Sequence, residues 1–173
     1  WMQQGRDTLV VDKPVRSGQR IYIGSSCGEP QHLVRTLSNE STRFTDLEIV
    51  RLMSLENTPL TLIANKSMGQ NLTIRSIYIG SAQPQALARN KRFITPINLS
   101  AVPRLFKSRL LPIQVALIQV TPPDDFGWMS LGISVDVTAA AAEAADLVIA
   151  QVNRNMPRVQ GRSNIHVNDI DFF

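Results

Sequence analysis

The 173-residue sequence holds a single cysteine, Cys27, and two histidines. One thiol excludes an intrachain disulfide, and with it the disulfide-stapled folds of small secreted domains. Cys27, His32 and His166 are the only soft ligands, so a four-coordinate Cys/His zinc site is not expected. An uninterrupted apolar run of about 18 residues, the length a membrane-spanning helix needs, is also lacking. The most apolar window, residues 135–152, is broken by Asp136, Glu143 and Asp146. The opening WMQQGRDTLVVDKP has no charged-then-apolar signal pattern. It begins with Trp rather than Met, as a processed or trimmed chain would, and the cytoplasm is the expected compartment. Long basic runs are missing too: the net charge is +4, with short clusters only at 89–92 (RNKR) and 104–109 (RLFKSR). That excess fits an ordinary solvated surface, or attraction to an anionic partner such as a phosphate-bearing cofactor or an acidic domain. The aromatics are not interleaved with the basic residues, so a nucleic-acid partner is not expected.

Hydrophobic residues make up 43% of the chain and charged residues 18%, too apolar for a disordered segment. The length fits one domain, 1–173, with a real core. The punctuation alternates strand and helix. Residues 20–23 (RIYI), between Gly18 and Gly24, suit a buried strand. Pro30 opens a helix through PQHLVRTLSN, with Leu33, Val34 and Leu37 at helical spacing. Residues 47–55 alternate as a strand; 71–80 fit a strand or a helix. A short helix is expected at 84–90 and a short strand at 92–95. Residues 100–108 read as a helix with Ser100 at its N-cap and Pro103 in its first turn. Residues 113–120 (IQVALIQV) are the clearest buried strand. A helix at 139–145, capped by Thr138 or Asp136, and a strand at 147–151 follow. His166 falls in a strand-like, half-buried run. This repetition predicts an α/β domain with an open, mainly parallel sheet and flanking helices.

Three loops could carry chemistry. Gly24-Ser25-Ser26-Cys27-Gly28-Glu29-Pro30 is a glycine turn between strand and helix, either a plain connection or a loop for anionic oxygens. It is neither a P-loop nor G-x-G-x-x-G, and Cys27 has no sequence-level tie to a histidine. Thr121-Pro122-Pro123-Asp124-Asp125-Phe126-Gly127 follows the best strand. Its carboxylates could do acid–base or metal work, or satisfy local backbone N–H groups in a turn. Gln151-Val152-Asn153-Arg154-Asn155-Met156-Pro157 ends a buried strand, and its amides could orient a carbonyl or tie down a loop. No complete catalytic set is present.

The succession of segments is more specific than any one of them. FITP (93–96), Leu99-Ser100 and PRLF (103–106) come first. VALIQVTPPD (115–124) follows, running through Gly127, SLG (130–132) and SVD (134–136). IAQVN (149–153), MPR (156–158), Gly161 and IHV (165–167) complete it. This order resembles the N-terminal half of the acetyl-CoA hydrolase/transferase family, which includes 4-hydroxybutyrate and succinate CoA-transferases. The resemblance covers most of the chain and implies a NagB/RpiA-like, CoA-transferase-type sheet. It implies two related halves with the active site between them. It also implies an activity that moves coenzyme A between acyl groups through a glutamyl-CoA thioester, with N–H groups stabilising the oxyanion.

The resemblance places the catalytic glutamate in the absent C-terminal half. Glu29, Glu40, Glu48, Glu56 and Glu143 are the only glutamates here, and none sits in its motif. No catalytic residue is expected in this chain, which alone should be inactive. Its expected contribution is a substrate and CoA cleft at Gly24, Gly28, Pro123, Asp124, Gly127, Gln151, Asn153, Met156 and Pro157. Gly24, Gly28 and Pro30 match the tail of the wider class's glycine signature, without its Gly-Gly-Phe start. CoA is expected as a substrate, with no permanently bound cofactor and no metal. The partners implied are acyl-CoA, carboxylates and the C-terminal half, on the same polypeptide. The apolar end DIDFF implies a chain that continues or docks, and a free preparation could self-associate into a homo-oligomer. The competing reading is a CoA- or carboxylate-binding or regulatory module without turnover, with fusion to an acyltransferase as its variant.

Overall fold

The computed structural model describes residues 15–53, 72–78 and 92–173. Six strands form one wholly parallel sheet: β1 (Arg20–Ile23), β2 (Leu47–Arg51), β3 (Leu72–Ser76), β4 (Arg92–Ile94), β5 (Val115–Val120) and β7 (Leu147–Val152). Their spatial order is β4-β3-β2-β1-β5-β7. Among the described residues the α-helices are α1 (Gln31–Asn39), α2 (Val102–Lys107) and α3 (Thr138–Ala144). A separate antiparallel ribbon pairs β6 (Trp128–Ser130) with β8 (Asn164–His166).

The strand residues are apolar on both faces because both faces are covered. Ile21, Ile23, Ile49, Ile74, Val115, Leu117 and Ile149 pack with Leu33, Val34 and Leu37 of α1. Their neighbours Tyr22, Val50, Ala116, Ile118, Val148 and Ala150 pack with Val102 and Phe106 of α2 and Ala140, Ala141 and Ala142 of α3. Buried Tyr22 meets Phe106 edge-on, ring centroids 5.9 Å apart. Its hydroxyl pairs with buried Thr138 Oγ1 at 2.8 Å, so the phenol is not left unsatisfied in that layer. Burial, and next the Asp136 charge, push the Tyr22 hydroxyl above its ordinary range.

The expected elements appear with shifted ends. The strand expected over 47–55 stops at Arg51 among the described residues. Within the ambiguous 71–80 segment, Leu72–Ser76 form strand β3. The helix expected at 84–90 lies outside the described residues. Ser100 is not the cap of α2. It lies in a 3-10 turn, Leu99–Ala101, which precedes the helix, and Ala101 takes the N-cap with Pro103 in the first turn, where its missing N–H costs no helical bond. Neither Thr138 nor Asp136 takes the N-cap of α3. Val137 does, Thr138 is the first helical residue, and Asp136 just before the cap accepts hydrogen bonds from the Val137 N–H and, at 3.2 Å, the Thr138 N–H. Strand β6 was not expected. Its three residues follow a turn, and only pairing with β8 reveals them.

Candidate functional site

The direction of winding reverses between β1 and β5: β2, β3 and β4 lie to one side, β5 and β7 to the other. At such a reversal the loops leaving the strand carboxyl ends diverge and open a crevice. The three loops singled out in the sequence leave β1, β5 and β7 at this end.

The 24–30 loop starts where Gly24 N–H donates to Leu117 O at 2.9 Å, the last bond between β1 and β5. Ser26 N–H donates to Met53 O at 2.9 Å, tying the loop to the end of β2. Ser25 Oγ donates to Asp136, tying it to the segment before α3. Cys27 is exposed. Gly28 is buried, and a Cβ there would lie 2.9 Å from Ser134 Cβ. Neither atom can escape by changing rotamer. Gly28→Ala is therefore expected to lower stability by about 1–3 kcal/mol, read as an earlier urea midpoint with an unchanged slope.

Beneath α1, two amides meet on adjacent rungs. Gln119 and Gln151 are register partners on β5 and β7. They share the alternate-residue face of Leu117 and Ile149, the face that packs on α1. Gln151 Nε2 donates to Gln119 Oε1 at 3.1 Å, and Gln151 Oε1 accepts from His32 N–H at 2.9 Å. Gln119 Nε2 lies 3.5 Å from Cys27 O and 3.8 Å from Met156 Sδ. The chain of amides thus links β7, β5, the first turn of α1, the glycine loop and the buried Met156. The Gln151 carbonyl oxygen is engaged in holding α1. Gln119 went unremarked in the sequence, although it is the one polar residue within VALIQV.

The other two loops are internally bonded. Asp124 Oδ1 accepts from the Phe126 N–H at 3.0 Å and the Trp128 N–H at 2.9 Å, so that its carboxylate shapes the turn. Arg158 donates to Asp124 Oδ2 at 3.2 Å, Pro122 O at 3.0 Å and Trp128 O at 3.1 Å, joining this loop to the stretch after β7. Pro123 is half-buried and Asp125 exposed. Gly127 has φ +82°, and a Cβ would lie 2.8 Å from His166 Nε2, which itself faces Phe126 O at 3.0 Å. Asn153 N–H donates to Val120 O at 2.8 Å, and its Oδ1 accepts from Asn155 N–H at 2.9 Å. Pro157 is exposed. Gln151 is thus one of the amide pair, and Met156 and the loop of Gly24 and Gly28 reach it through Met156 Sδ and Cys27 O. Pro123, Asp124 and Gly127 form the rim hairpin, and Asn153 the turn after β7. His32 has an exposed side chain on α1 and His166 stands in β8. Among the described residues no group of three or more His, Cys, Asp or Glu could hold a metal ion.

Glu29 is the unexpected member of the glycine loop. It is only 3% exposed. Its Oε1 accepts from Gln31 Nε2 at 3.2 Å, and its buried Oε2 has no hydrogen-bond partner. Burial pushes its carboxyl from an ordinary 4.5 up to about 7, against the opposing pull of the Arg51 charge and the Gln31 bond. An acid just before Pro30 in a glycine turn is the only signal the sequence offers for it. Two grooves lie away from this end. One, about 460 Å³, runs between α3 and β8, and one of about 420 Å³ sits at the amino ends of β1 to β3. Topology and the convergence of three loops favour the crevice over either.

The strand order defines a doubly wound α/β domain. Its affiliation is specific: the chain belongs to the acetyl-CoA hydrolase/transferase family, whose N-terminal domain model matches residues 11–173. It is 38% identical to the 4-hydroxybutyrate coenzyme A transferase of Clostridium kluyveri, over 99% of this chain and 40% of that protein. It is 31% identical to the succinyl-CoA:acetate/propanoyl-CoA:succinate CoA transferase of Fasciola hepatica, over 98% of this chain and 34% of that protein. The structure of RipA from Yersinia pestis superposes with a TM-score of 0.85 at 25% identity, covering 97% of this chain and 41% of that one. The chain thus spans well under half the length of the relatives it matches. No helix among the described residues is long and apolar enough to cross a membrane.

Proposed function

We propose that this chain is the N-terminal domain of a cytoplasmic enzyme that moves coenzyme A between carboxylic acids. The observation that carries this reading is the 38% identity, over 99% of the chain, to a protein named as a 4-hydroxybutyrate CoA transferase. The rest of the polypeptide supplies a glutamate. Its carboxylate attacks the acyl-CoA carbonyl and expels the CoA thiolate, leaving a mixed acyl-glutamyl anhydride. The thiolate then attacks the glutamyl carbonyl, releasing the first carboxylate and forming the glutamyl-CoA thioester. A second carboxylate reverses these steps and leaves as the new acyl-CoA. Water in its place gives hydrolysis.

This domain supplies one wall of the cleft. The glycine loop with Gly24 and Gly28, the amide pair beneath α1 and the rim hairpin with Pro123, Asp124 and Gly127 line it, together with Asn153, Met156 and Pro157. CoA is substrate and product, and no permanently bound group is required. Alone, the chain is inactive.

The test is made on the complete polypeptide, with acetyl-CoA as donor and 4-hydroxybutyrate as acceptor. The expected result is transfer, with a protein-bound thioester that hydroxylamine cleaves. Replacing the glutamate that carries the thioester with glutamine is expected to lower kcat by about a thousandfold or more. Unchanged transfer in that variant would refute the mechanism. Binding of CoA without turnover in the unaltered protein would move the domain to a purely ligand-binding role.

A further inference from the structure

Glu29 combines three features that a passive loop residue does not need. It is almost wholly buried, one of its carboxyl oxygens has no partner, and it lies in the loop that borders the crevice. Leaving a buried polar atom unpaired opposes folding, and leaving a buried charge unpaired does so far more strongly. The arrangement observed therefore suits the neutral acid. The loop on which Glu29 sits is tied at several points. Ser26 N–H holds Met53 O beyond β2, Ser25 holds Asp136 before α3, and Cys27 O faces the Gln119 amide at 3.5 Å. A movement of Glu29 is thus transmitted to β2, to α3 and to the amide pair. The charge that faces Glu29 is Arg51, at the end of β2; Gln31 on α1 gives it a hydrogen bond. The strands beneath α1 present the uncharged amides of Gln119 and Gln151, and the side chain of His32 is exposed.

We propose that Glu29 is a positioning residue: its buried carboxyl, bonded to Gln31 at the start of α1, holds the 24–30 loop in the arrangement seen, and loss of its proton shifts the loop, and with it the cleft the loop borders, toward Arg51 at the end of β2. The proton leaves to solvent and no other bond changes. The loop then has two arrangements, and the neutral one is the one seen. The proposal rests on the transferase reading only in that the cleft takes acyl-CoA; the loop shift itself does not depend on it.

Cys27, exposed and two residues from Glu29, allows a direct test. A trifluoromethyl thiol label is placed on Cys27 in the complete polypeptide, and its fluorine signal is assigned by its absence in Cys27→Ser. The fluorine shift is followed from pH 5 to 9, and the KM for acetyl-CoA is measured over the same range. The expected result is a step in the fluorine shift near neutral pH, accompanied by a several-fold change in KM with kcat little altered. Both are expected to be lost in Glu29→Gln, which keeps the shape of the neutral acid. Glu29→Leu serves as the second variant should the glutamine protein fold poorly. No step in the unaltered protein, or a step that persists in the variants, would overturn the proposal. A step without a change in KM would overturn the link to the cleft. If the protein transfers no CoA, the dissociation constant for CoA replaces KM, so that failure of the transferase reading leaves this test intact.

Discussion

Stability is expected to fall as pH rises from about 4.5 to about 7, and to do so much less in Glu29→Leu. In the folded protein the Glu29 carboxyl is pushed up to about 7, first by burial. In the unfolded chain it titrates near its ordinary value. Between the two, the folded state holds a proton that the unfolded state has released. The unfolded state is then favoured progressively as pH climbs. Below about 4.5 both states are protonated and the effect is absent; above about 7 it is complete. At about 1.4 kcal/mol per tenfold change in proton affinity, the interval amounts to about 3 kcal/mol. Urea unfolding at pH 5 and pH 8 measures it. Groups common to both proteins cancel in the difference between the unaltered chain and the leucine variant. An equal pH response in the two proteins would show that Glu29 is not held neutral. Because this is a thermodynamic reading, it is independent of whether the loop communicates with the cleft.

Phe106→Ala is expected to cost about 3–5 kcal/mol. Phe106 is fully buried on α2, packed edge-on against Tyr22 and among Val102, Ile113 and Ile118. Its removal leaves a void that the parallel sheet on one side and α3 on the other cannot close. It also strips the ring contact from Tyr22, whose hydroxyl is pinned by Thr138. Leu110→Ala is the control: Leu110 is 78% exposed, and its loss is expected to change stability by less than about 0.5 kcal/mol. Guanidinium midpoints distinguish the two. Equal effects would mean that the layer between the sheet and α2 is loosely packed.

The main elements of the fold were readable in the sequence because they depend on local pattern. RIYI and VALIQV are apolar on both faces, which only a sheet covered on both sides requires, and Pro30 marks the start of α1 within a residue. What escaped depends on partners distant in the chain. Strand β6 is three residues long and exists because β8, more than thirty positions later, pairs with it. Gln119 and Gln151 look like stray polar residues until strand register places them side by side. The same holds for the site. Its three loops were legible as interruptions after apolar runs. That Asp124 spends its carboxylate on backbone N–H groups and Arg158 follows from hairpin geometry alone. Burial of Glu29 depends on how the first loop folds back over the end of β2, and composition carries no trace of that.

The position of β1 also has a consequence for synthesis. It is the strand at the reversal, bonded to β2 on one side and to β5 on the other, and Ile21 finds Val115 only after 94 further residues. At about 5–20 residues per second, this strand leaves the ribosome roughly 5–20 s before its second neighbour exists. During that interval RIYI offers an apolar, hydrogen-bonding edge to whatever is near. The order in which the strands are made thus sets how long that edge stays open on the nascent chain.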